Sequence, residues 1–124
     1  MAKRKFTPTQ ANRTLPLVKR IVADLLSKGA QLRELTDDEG RPASATTLEA
    51  LEEEVQELMA ELEGVGCYYK DWNFEKGLVD FPAEIDGESV LLCWSSDEPA
   101  VTWYHTYEDG YAGRKEIPTE LLED

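Results

Sequence analysis

The chain has 124 residues, with 26 Asp plus Glu against 13 Lys plus Arg, one His, two Cys and a net charge of −13. That length suits one domain, and a hydrophobic fraction of 41% excludes wholesale disorder. No apolar run nears the roughly 20 residues of a membrane span. The basic opening, Met1 to Phe6, lacks the apolar segment of a secretory signal, so a cytoplasmic location is expected. Charge is unevenly placed: residues 1–23 hold Lys3, Arg4, Lys5, Arg13, Lys19 and Arg20 and no acid, a local +6 that leaves −19 on the rest. A polyanionic nucleic acid would be repelled by most of this surface, so it is not expected as a partner. Lys19 and Arg20 instead read as counter-charges to an acidic neighbouring helix.

Thr7-Pro8-Thr9-Gln10 is a helix start, with Thr7 as cap, Pro8 at the first position and Gln10 completing a capping box. The spacing predicts a short turn to about Arg13 and a second start at Thr14, ahead of Pro16. From there Leu15, Val18, Val22, Leu25, Gly29 and Leu32 recur every three or four residues, an amphipathic helix of about twenty residues. Thr36 to Ala45 breaks the pattern with acids, Gly40 and Pro42. Thr46 or Thr47 then caps a helix whose Leu48, Leu51, Val55, Leu58 and Leu62 form a 3-4 seam. No base occurs in residues 48–63, and seven Glu cover the rest of that helix.

After Gly66 the period falls to two and the composition turns aromatic and β-branched. Strands are predicted at Cys67–Tyr69, at Gly77–Pro82 (an edge strand, or one ending at Pro82), at Ser89–Trp94 and at Ala100–Thr106. Asp86-Gly87 joins the second to the third as a tight hairpin. Ile117 and the acidic end add a short strand or a tail. The fold class expected is α+β: an N-terminal antiparallel helical hairpin packed on a small C-terminal antiparallel β-sheet. One domain spanning the whole chain is expected, helical over residues 1–63 and β over residues 64–124.

The segments FTPTQANRTLPLVKRIV, GLVDFP, VLLCWSSDEPAVTWYH and GYAGRKEIP together resemble a bacterial family known as domain of unknown function 2203. The resemblance rests on Gly77 to Pro82, Leu92, Cys93, Trp94, Glu98, His105, Gly110, Ala112, Gly113 and Arg114. The family pattern sets Trp directly before His, whereas this chain reads Trp103-Tyr104-His105. What the resemblance implies is a small soluble bacterial protein; it supplies no activity.

Candidate site residues gather in the β half: Asp80, Glu98, Trp103, His105, Glu108, Gly110, Gly113 and Arg114. Asp80 lies in an apolar run, where a carboxylate is costly to bury unless paired. Gly110 to Arg114 offers backbone N–H groups beside a guanidinium, an anion cradle in outline. Arg114 is expected to pair with Asp80 first, with Glu98 or Glu108 next. No metal is expected, His105 with Glu108 and Asp80 being the one set that offers ligands, and no cofactor is expected either. A simple register sets Asp80 opposite Cys93 and Cys93 beside Val101. That leaves His105 about 13 Å off at 3.3 Å per residue, which argues against an Asp80–His105 contact. Cys67 and Cys93 read as buried, reduced small hydrophobes, and Trp72, Trp94 and Trp103 as core or groove walls.

Two functions fit these residues. The first is a non-catalytic interaction module, a homodimer or a chain docking on a basic partner through the acidic hairpin. The alternative is a small-molecule, anion or metal site around His105 and Arg114 with possible acid–base chemistry. Gly-rich phosphate loops, nucleophile elbows and zinc-protease helices are absent from the sequence.

Overall fold

A computed structural model describes residues 5–37, 45–70 and 76–122. Two long helices, α1 (Pro8–Asp37) and α2 (Ala45–Val65), precede the strands β1 (Tyr68–Tyr69), β2 (Leu78–Ile85), β3 (Glu88–Ser95), β4 (Trp103–His105) and β5 (Lys115–Glu116), and a short helix, α3 (Thr119–Leu122), follows. The strands form one antiparallel sheet in the order β1-β2-β3-β4-β5. The α+β class and the hairpin-on-sheet architecture are therefore as the sequence indicates. Trp72 and the middle of the Thr36–Ala45 break lie outside the described residues.

The capping box forms as expected: Gln10 N–H donates to Thr7 Oγ1 at 3.1 Å, and Thr7 N–H donates to Gln10 Oε1 at 3.0 Å. The second helix start does not form, because α1 runs unbroken through Pro16. Pro16 forfeits one backbone hydrogen bond. Ala11 and Leu15 before it and Val18 and Val22 after it all lie buried on one stripe, and a break would split that stripe. Helix α2 begins at Ala45, a residue or two ahead of the expected cap. Its seam residues Leu51, Val55 and Leu62 are buried, while Glu49, Glu52, Glu53, Glu57, Glu61 and Glu63 face solvent. One counter-charge to α2 is Lys28, whose Nζ lies 2.8 Å from Glu54 Oε2. Lys19 instead donates to the Pro99 carbonyl.

Strand β2 is longer than expected and continues past Pro82 to Ile85. Phe6 N–H donates to the Pro82 carbonyl at 2.7 Å, so Pro82 turns its backbone away from β3, toward the edge that two-residue β1 does not cover. The missing N–H of Pro82 thus costs no ladder bond. Asp86 (φ 52°) and Gly87 (φ 80°) form the two-residue hairpin loop, closed by the Ile85–Glu88 pair. Gly77 is required by packing, since a Cβ there would collide with Val22 Cγ1 on α1.

The strand period of two gives the sheet two different faces. Val79, Phe81, Ala83, Ile85, Val90, Leu92 and Trp94 point to the helices and share one core with Val18, Val22, Leu25 and Leu62. Phe6 seals one edge, its ring meeting Phe81 edge-on at 5.2 Å. The alternate residues, Tyr68, Leu78, Asp80, Pro82, Leu91, Cys93, Trp103 and His105, occupy the other face.

Candidate functional site

The register fixes which side chains meet on that second face. Tyr68 pairs with Asp80, Asp80 with Cys93, and Cys93 with Trp103, forming one row across four strands. The next row is Pro82, Leu91 and His105. His105 is therefore diagonal to Cys93, within reach of long side chains across a sheet.

This corrects the expected register. The Asp80–Cys93 pairing is as expected, but Cys93 faces Trp103 instead of lying beside Val101. The reason sits on α1: Asn12 Oδ1 accepts from Val101 N–H at 2.8 Å, and Asn12 Nδ2 donates to the Val101 carbonyl at 3.0 Å. That one side chain takes both backbone groups that a neighbouring strand would have used. Val101 turns into the core, β4 begins only at Trp103, and the pairing slips by two residues. The slip brings His105 Nε2 to 3.2 Å from Asp80 Oδ1, the contact the simple register argued against.

Asp80, Cys93 and His105 are each at most 5% exposed, and one donor atom from each lies within 4.8 Å of the others. They line a cleft of about 580 Å³, with Tyr68, Leu78, Pro82, Leu91 and Tyr107 among its walls and Lys70, Gly110 and Tyr111 toward the rim. Burial pushes the Asp80 carboxyl above its usual range, and neighbouring His105 offsets this only in part. Burial, reinforced by Asp80, pushes the Cys93 thiol up to about 12. His105 Nδ1 lies 2.7 Å from the Thr106 carbonyl. A carbonyl only accepts, so Nδ1 carries a hydrogen and Nε2 is the nitrogen turned to Asp80. With both ring nitrogens engaged, none is left to take a proton from Cys93. The Cys93–His105 proximity, also unexpected from the sequence, is thus not an activated-thiol arrangement.

Arg114 pairs with Glu98, its second-choice partner by sequence, and not with Asp80. The contact is bidentate, at 3.0 Å (Nη1–Oε1) and 2.7 Å (Nη2–Oε2). The guanidinium also lies over the rings of Trp103 at 4.7 Å and Tyr111 at 4.4 Å. Glu98 Oε1 accepts a further bond from Ser95 N–H, so this pair ties the Ser95–Pro99 turn to the C-terminal segment. Arg114 is consequently occupied, and the anticipated cradle is reduced. Gly113 N–H donates to the Gly110 carbonyl and Arg114 N–H to Tyr111's, within the tight turn that Gly110 (φ 65°) permits. Glu108 is exposed and is not among the converging donors, so the set of ligands that the sequence offers, His105 with Glu108 and Asp80, does not assemble.

Cys93 is the site member that sequence reasoning misses. Its only signal is its place opposite Asp80. Tyr68, Lys70, Tyr107 and Tyr111 carry none, because nothing local shows which face of a short strand or turn is left open.

Among the described residues, no helix is long and apolar enough to cross a membrane. No curated protein and no solved structure matches the chain. The family model described as uncharacterized conserved protein (DUF2203) matches residues 4–117. With nearly the whole chain covered by that match, the protein belongs to the DUF2203 family.

Proposed function

We propose that the protein is a small-ligand-binding module whose site is the cleft on the helix-free face of the sheet. The observation that carries this reading is the convergence of Asp80, Cys93 and His105 at the floor of an aromatic-walled cavity. Buried polar side chains are costly, and the fold already has a complete apolar core on the other face, so nothing in folding calls for these three. Concave, mostly apolar pockets with a few converging polar groups are the usual form of small-molecule sites. The role proposed is binding, since among the described residues no nucleophile with a free base lines the cleft. A cytoplasmic location fits two buried cysteines that form no disulfide, and a bacterial source fits the resemblance.

The other expectation, self-association or docking on a basic partner, rested on the helical hairpin, with its 3-4 seam and a face made almost wholly of Glu. The sheet covers the apolar side of that hairpin. The chief remaining support for a dimer or partner complex is then the solvent-facing Glu residues of α2, which solvation explains equally well.

The test is a titration of metal-free, ¹⁵N-labelled protein with phenol-, imidazole- and carboxylate-bearing fragments. Amide shifts concentrated in β2, β3, β4 and residues 107–111, and lost in Leu91→Trp, which fills the cleft, are the expected result. Shifts that map to the helices, or no shifts at all, overturn the reading.

A further inference from the structure

We propose that Asp80, Cys93 and His105 form a zinc site with one coordination position open to the cleft. The inference deepens the ligand-binding reading and rests on it. Its first support is the proton count at the Asp80–His105 contact. Nδ1 of His105 is hydrogen-bonded to the Thr106 carbonyl, so Nε2 faces Asp80 Oδ1 either with a proton between them or with a cation there. A charge-assisted N–H···O bond is usually about 2.7–2.9 Å long. The 3.2 Å observed is at the long end for a hydrogen bond and also matches the edge of a tetrahedron around zinc, about 3.3 Å for nitrogen and oxygen ligands bound at about 2.0 Å.

The third donor, Cys93 Sγ, lies within 4.8 Å of both other atoms. A sulfur at about 2.3 Å from the metal needs about 3.6 Å to each neighbouring ligand, so Sγ has at most about 1.2 Å to close. Thiolate, imidazole and carboxylate together suit zinc, a borderline-soft ion, better than magnesium or calcium. The Thr106 carbonyl behind Nδ1 is the kind of outer partner that fixes a ligating imidazole.

Charge balance also favours the site. Binding exchanges two protons, the thiol's and the one shared by Asp80 and His105, for one divalent cation, so the net charge of the buried cluster does not change. Nearby Arg114 is already neutralised by Glu98. Three protein ligands with a fourth position facing a cavity is the pattern of zinc sites that take a water or an outside ligand. In this chain the cleft supplies that position.

The experiment is a titration of the chelator-stripped full chain with cobalt(II) chloride, then zinc chloride. The expected result is one cobalt per chain, with the intense visible bands of a tetrahedral ion and a near-ultraviolet thiolate band, both erased by one equivalent of zinc. Cys93→Ser removes the thiolate band, and Asp80→Asn and His105→Gln each weaken zinc binding at least about 10-fold, whereas Cys67→Ala changes nothing. Zinc X-ray absorption on the unaltered protein, reading one sulfur among lighter ligands, stands even where a variant fails to fold. A cobalt spectrum matching the aqueous ion, zinc with no sulfur ligand, or loss of the thiolate band in Cys67→Ala overturns the inference. Fragment shifts in the metal-free cleft are read separately, so failure of the metal site and failure of the ligand-binding reading are distinguishable.

Discussion

The two faces of the five-stranded sheet are built from the same strands, residue by alternate residue, yet they bury different chemistry. The helix-facing side carries Val79, Phe81, Leu92 and Trp94, all at most 1% exposed and closed by α1 and α2. The opposite side buries Asp80, Cys93 and His105 nearly as well, under the turn of residues 107–113. One face gains its free energy from apolar burial and the other gives some of it up to hold polar atoms out of water. The apolar core and the candidate site are separated by a single-residue step along the strand.

Substitutions on the two faces should differ accordingly. Phe81→Ala, on the fully closed face, is expected to cost about 3–5 kcal/mol in a denaturant melt. Arg114→Ala follows at about 2–3 kcal/mol, somewhat below a fully buried pair because both partners keep some solvent access, at 17% and 15%. Arg114→Ala in a Glu98→Gln background should cost less, since no carboxylate is then stranded. Asn12→Ala leaves the Val101 N–H and carbonyl without their partner and should cost about 1–3 kcal/mol. The same variant should loosen β4, read as faster hydrogen exchange at Trp103–His105. The smallest effect is expected on the open face. The double change Asp80→Asn with His105→Gln exchanges one buried hydrogen-bonded pair for another and gives up the Nδ1–Thr106 bond, which together should cost about 1 kcal/mol. A loss as large as that of Phe81→Ala would make the open face part of the folding core.

Much of the helix-facing side is legible in the sequence. The 3-4 spacing marks both helices, Asp86-Gly87 marks the hairpin, and counting back from that turn sets Asp80 opposite Cys93. The candidate site is legible only in part, because its assembly depends on a contact 89 residues apart, Asn12 to Val101. No local pattern shows that a helix side chain will occupy the Val101 backbone and move β4 by two positions. Pro16 misleads for a similar reason: its local cost is visible, while the stripe that outweighs it is a tertiary property. Arg114 misleads because every acid in an acidic chain is a candidate partner. The Ser95–Pro99 turn, which delivers Glu98, is closed by its own hydrogen bonds, and these do not tell which cation Glu98 will meet.

If the open face is a ligand site dispensable for folding, zinc-dependent melting will show both properties at once. Zinc at about 100 times its dissociation constant should stabilise the unaltered, chelator-stripped chain by about 2.7 kcal/mol. For a chain of this length that corresponds to a rise of about 10 °C in melting temperature. The Asp80→Asn/His105→Gln double variant should melt near the unaltered protein without metal and show no rise with it. A double variant that is unfolded without metal would make the open face necessary for folding, and one that gains as much from zinc as the unaltered chain would place the metal elsewhere.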